Sequence, residues 1–177
     1  MDDLEVDTPM KHETKAQLET ILATYDEKLT EVESRNAAVR AAQAAFPERF
    51  STLKVDMIRP ILQEFIDMLG RHGHAASARE QEESSSTSGG ITLAAISLRI
   101  IPKPFANKSL EKNNNFVEIM FAANRNERKI TVSSTNTIIN SGGSRGKRGE
   151  YEIEAITVEV VSNHVMQTLE EALVDPR

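Results

Sequence analysis

The sequence predicts an α+β protein, with long N-terminal helices followed by a four-stranded antiparallel β-meander and a C-terminal helix. Three observations carry that expectation. Apolar residues recur three and four apart between Leu18 and Leu69. A Ser/Gly-rich stretch without apolar periodicity follows at 71–90. Beyond Gly90, short apolar runs alternate with turn residues until a last helical stripe opens after Thr157. The chain of 177 residues therefore reads as an acidic mobile tail (1–10), a helical module (11–70), a flexible linker (71–90) and a β-meander with its helix (91–177).

The helical module opens on a heptad seam. Leu22, Leu29, Asn36 and Gln43 fall at a, and Leu18, Tyr25, Val32, Val39 and Phe46 fall at d. Two outcomes satisfy such a seam: a coiled coil with a second helix, or a hairpin in which the next segment folds back on it. In the first case Leu18, Leu22, Tyr25, Leu29, Val32, Asn36 and Val39 form the protein interface. Asn36 matters because a buried Asn pair at a fixes register and a two-stranded state. Phe46–Pro47 is expected to interrupt the helix, since a residue before Pro avoids the α region, and Pro47 suits the start of another. The second stripe contains Leu53, Met57, Ile58, Ile61, Leu62, Phe65, Ile66 and Leu69. Pro60 predicts a kink or fresh start within it, and Gly70 a C-terminal cap.

Strands are expected at 91–101, 116–123, 128–139 and 150–156, with a tight turn at Asn124–Glu127. The stretch "NSGGSRGKRGE" (Asn140–Glu150) reads as a long cationic hairpin loop between the last two. Thr157 can cap a helix whose stripe is Val158, Val161, Val165, Leu169 and Ala172, ending at Asp175–Pro176.

Composition bounds the chemistry. Apolar residues make up 39%, aromatics 5%, and Trp is absent, so the core must be aliphatic. With no Cys there is no disulfide framework and no thiolate chemistry. The acidic N-terminus is unlike a signal peptide, and no apolar run approaches the roughly 18–20 residues that span a bilayer. A cytoplasmic location without membrane attachment is the expectation. The formal charge of −6 is segregated: residues 101–150 carry nine bases against four acids, while both ends of the chain are acidic. Such a basic middle attracts anions or docks on the chain's own acids.

Catalytic motifs are not apparent. A phosphate-binding loop needs four residues between its glycines and a hydroxyl after its Lys. Gly142 and Gly146 bracket only three, and Arg148 follows Lys147. His72 and His74 lack a third metal ligand nearby, with His12 and His164 remote in sequence. Glu152 and Glu154 read as the wet face of a strand. No cofactor or metal is expected.

These readings favour a non-catalytic interaction, adaptor or regulatory protein that self-associates, or binds a protein partner, through its N-terminal helices. The alternative is a weak nucleic-acid-associated factor using the basic 125–148 region, with Arg145, Lys147 and Arg148 contacting phosphates. An enzyme with an unrecognised site is the second alternative.

Overall fold

The computed structural model describes residues 11–85, 91–106, 114–138 and 144–174. The tail at 1–10, the linker's end at 86–90, the segments 107–113 and 139–143, and the stop at Asp175–Pro176 lie outside the described residues. The architecture is α+β: a long N-terminal helix, an antiparallel sheet and a C-terminal helix. The chain divides after Ala42 into two units, and each is described by itself.

Helix α1 (His12–Leu53) begins in the first unit, where residues 11–41 are all exposed. The helix does not break at Phe46–Pro47, so no hairpin reversal occurs there. A Pro inside a helix costs about 3 kcal/mol. Phe46 and Phe50, 2% and 1% exposed, flank it, and burying each contributes about 1.5–3 kcal/mol. Tertiary burial therefore overrides the local preference. Phe46, expected at the end of the seam, is instead a core residue of the second unit.

After α1 comes one π-helical stretch, Lys54–Ile58, in which the Arg59 N–H donates to the Lys54 carbonyl five residues back. Helix α2 (Arg59–Arg71) follows directly, with Pro60 in its first turn. The backbone is helical without interruption on both sides of Pro60, so the fresh start expected there does not occur. The end of α2 is set by Gly73 rather than Gly70. Gly73 has φ +84°, its N–H donates to the Gly70 carbonyl, and the His74 N–H donates to that of Leu69. That pair of bonds is a Schellman cap, which needs the left-handed conformation glycine supplies.

The sheet has five strands rather than four: β1 (Ala75–Gln81), β2 (Ala95–Ile101), β3 (Val117–Asn124), β4 (Lys129–Asn136) and β5 (Ser144–Glu152). They pair antiparallel in chain order, a pure meander with β1 and β5 at its edges. Strand β1 corrects the linker expected at 71–90. Its sequence AASAREQ has no apolar alternation, but pairing with the wholly buried β2 along seven register pairs fixes it. A two-residue ladder, Ser84–Ser85 with Ile91–Thr92, extends the same hairpin. The chain's division accordingly lies after Ala42 and not in the 71–90 stretch, because α2 and the end of α1 share one core with the sheet.

On the helix-covered face, register sets Ile96 beside Phe121, Leu98 beside Ile119, Phe121 beside Val132 and Ala123 beside Ile130. Phe46, Phe50, Ile58, Leu62, Val161 and Val165 pack onto these from above. Asn124 shapes the β3–β4 turn, its Oδ1 accepting from the N–H groups of Asn126 and Glu127. Strand β5 ends in a 3-10 turn, Ile153–Ala155, so 150–156 is not the strand expected there. Helix α3 (Val158–Leu169) is capped as expected, with Thr157 accepting from the Val160 N–H at 3.2 Å.

Lys54 is buried in this core with its side chain 3% exposed. Its Nζ lies 3.0 Å from Glu82, 3.6 Å from Glu80 and 5.7 Å from the Phe50 ring centre. Arg59 also pairs with Glu80. Changing Glu80 and Glu82 together to Ala leaves that ammonium without a counter-charge. The expected loss is about 2–3 kcal/mol, below the roughly 3–5 kcal/mol of a fully buried pair because Glu82 is solvent-exposed. Lys54→Met should cost less than about 1 kcal/mol, or stabilise. Urea unfolding of the three proteins checks the order.

Candidate interaction surfaces

The candidate seam lies wholly on α1. Leu18, Leu22, Tyr25, Leu29, Val32, Asn36 and Val39 are all exposed, from 37% at Val39 to 60% at Tyr25 among the apolar ones. Ile21 adds a further exposed apolar side chain at 63%. The rest of this stretch is polar, with Arg35 and Glu31 paired at 3.1 Å and Thr20, Thr24 and Thr30 bonding back to carbonyls four residues earlier. Gln43, the last a position, is already engaged, donating to the Asn126 carbonyl at 3.0 Å. The available seam therefore spans Leu18–Val39, 22 residues or roughly 33 Å of helix.

Arg145, Lys147 and Arg148 are not at a loop tip. All three lie in β5, which pairs with β4 from Ser144 to Glu152. Gly149 faces Val132 while Lys147 faces Ser133, so Arg148 is an extra residue in a β-bulge. The bulge turns Arg148 to the helix side of the sheet. There its Nε donates to Ser134 Oγ at 2.7 Å, and both terminal nitrogens contact the Glu171 carboxylate, one at 2.6 Å. The Glu171 hydrogen bond raises the Arg148 pKa further above its ordinary value. Lys147 stays on the open face, 3.0 Å from Glu150, and its hydrogen bond lowers the Glu150 pKa. The three cations are thus split between two faces, and two are already paired.

Two other basic residues of the middle segment are paired as well. Arg125 lies 3.7 Å from Glu83 and Lys129 3.7 Å from Glu150. Glu154 is on the 3-10 turn and pairs with Arg49, so it does not share a strand face with Glu152. The Arg49 hydrogen bond lowers its pKa. Among the described residues, no group of three His, Asp or Glu is placed to hold a metal ion. Nor is any described helix long and apolar enough to cross a membrane.

In comparisons with known proteins, no family model, no curated protein and no solved structure matches this chain. Its surfaces have to be read on their own terms.

Two features were not legible in advance. Tyr151 Oη and His164 Nε2 are 2.7 Å apart, their rings edge-on with centres 5.6 Å apart, beside the Arg148–Glu171 pair. An apolar groove of about 440 Å³ opens between α2 and α3, lined by Met57, Pro60, Phe65, Met68 and Val158. Val158, expected in the core stripe, is 58% exposed at its rim.

Burial lowers the His164 pKa, and the neighbouring Arg148 charge lowers it again. Burial likewise lowers that of His74, whose Nδ1 accepts from the Lys103 N–H. The unfolded chain therefore takes up these protons more readily than the folded one. Stability should rise with pH between the lowered folded values and the ordinary imidazole value of about 6.5, and level off above it. His164→Gln keeps a partner for Tyr151 and removes one titration. Chemical unfolding from pH 5 to 8 is expected to show a shallower slope for the variant, the remainder belonging to His74 and, near pH 5, to Glu150 and Glu154.

Proposed function

We propose that this protein is a non-catalytic interaction module that self-associates through α1 as a parallel, two-stranded coiled coil. The exposed seam carries this reading. The exposed stretch Leu18–Val39 lacks the packing of an apolar face from which most helical stability in proteins comes. A second copy supplies that face.

Parallel, in-register pairing follows from two features of the seam. It sets Asn36 opposite Asn36 of the second copy, where the two amides bond each other, whereas antiparallel packing sets each Asn against an apolar d layer. It also sets Lys28, at g, beside Glu33 of the second copy, at e. Arg35 and Arg40 meet with like charge one heptad later, and Glu31 partly offsets this by holding Arg35. In this reading the second units are carried in pairs, each with its own surface for protein partners. The absence of Cys fits the reducing cytoplasm, where we place the protein.

A nucleic-acid role for the 125–148 region has less support. Arg125, Lys129, Lys147 and Arg148 each already have a carboxylate partner.

The cysteine-free chain makes a direct test available. Val32→Cys sits at a d position and should form an interchain disulfide under mild oxidation. Adding Leu22→Glu and Leu29→Glu should abolish that disulfide and reduce the helical circular dichroism. A Val32→Cys protein that stays uncrosslinked at high micromolar concentration would refute the coiled coil.

A further inference from the structure

Strand β5 carries a second self-complementary surface, independent of the α1 seam. In a regular strand, side chains alternate between faces, so Arg145 and Lys147 would lie opposite Glu150 and Glu152. The bulge at Arg148 shifts that parity by one residue. Arg145, Lys147, Glu150 and Glu152 consequently share the open face. Two contacts bear this out: Lys147 reaches Glu150 at 3.0 Å, and Lys129 on β4 reaches the same carboxylate at 3.7 Å. Read along the strand, one face shows two bases followed by two acids. All four residues are exposed, and β5 is an edge strand whose outer backbone row pairs with no other strand among the described residues.

We infer that β5 pairs antiparallel with β5 of a second copy, about a twofold axis between Arg148 and Gly149. This register sets Arg145 opposite Glu152 of the second copy and Lys147 opposite its Glu150. The twofold repeats both pairs, so four cross-strand ion pairs form on one face. On the other face Gly146 comes opposite Tyr151. A Cβ at Gly146 would meet nothing within 4 Å, which leaves room beside that ring. Glycine across from an aromatic is a favourable cross-strand arrangement. The bulge causes no mismatch, because both copies carry it at the same level.

Charged, bulged edge strands ordinarily resist pairing. Here the charge order makes the resistance selective. A parallel in-register partner meets like charges and an antiparallel partner slipped by two residues keeps only two of the four ion pairs, whereas the centred antiparallel self-pair meets opposite charges throughout. The result is one continuous ten-stranded sheet across two copies.

The test uses the full chain carrying Leu22→Glu and Leu29→Glu, so that association through α1 cannot contribute. Sedimentation at low salt should show two chains, reverting to one as NaCl approaches molar concentration, since exposed pairs are screened. Arg145→Glu with Lys147→Glu, and separately Glu150→Lys with Glu152→Lys, should each sediment as single chains. Mixing the two should restore a one-to-one pair. The fourfold reversal, combining all these changes, keeps the complementary order and should self-pair like the parent, which controls for misfolding of either double variant. A parent that remains a single chain, or double variants that pair without mixing, would overturn the inference.

Discussion

The second unit depends on a single buried line along its long helix. Phe46, Phe50, Lys54, Ile58 and Leu62 lie four residues apart, and all are 2% exposed or less. In a regular α-helix each step of four overshoots a full turn by about 40°, so such a line soon rotates off the core. The wider turn at Lys54–Ile58 takes up part of that drift and keeps the line facing the sheet. Its consequence is that a lysine occupies a core position. Lys54 is tolerated because Glu80 and Glu82 approach from β1 and the residue after it. The wide turn, the buried cation and the acidic end of the first strand therefore form one arrangement. The polar sequence of β1 has its reason there: an apolar strand would leave the ammonium unpaired.

The basic middle of the chain finds its counterpart at home. Arg148 is clamped by Glu171 near the end of the C-terminal helical segment, and Arg125 reaches Glu83. The charge segregation evident in the sequence is met in part by pairing between segments remote along the chain. Outward-facing features among the described residues include an apolar line on the first unit, the groove between α2 and α3, and a balanced row of charges on β5.

Where side-chain pattern and backbone preference agree, the sequence was easy to read. The Thr157 cap, the Asn124 turn and the strands Ala95–Ile101, Val117–Asn124 and Lys129–Asn136 all follow local rules. The misreadings share a different cause. Strands β1 and β5 are held by backbone pairing to buried neighbours, so AASAREQ and SRGKRGEYE need no apolar alternation to be strands. Pro47 was read from its local preference, although the phenylalanines around it decide the outcome. For the candidate surfaces, the seam residues could be named in advance, because their spacing is the signal. The destinations of Arg145, Lys147 and Arg148 could not, because they depend on a bulge that leaves no mark in composition.

That bulge makes β5 behave like a reading frame. One supernumerary residue determines which side chains meet solvent and which meet the helices over the next four positions. Substituting an exposed residue in Ser144–Glu152 changes one side chain, whereas losing Arg148 itself would turn the bulge into a regular ladder, with Lys147 and Gly149 still facing Ser133 and Val132, at the cost of the Glu171 clamp. The bulge is thus the place where this strand could shed a residue without moving Tyr151 off His164 or Glu150 off the open face.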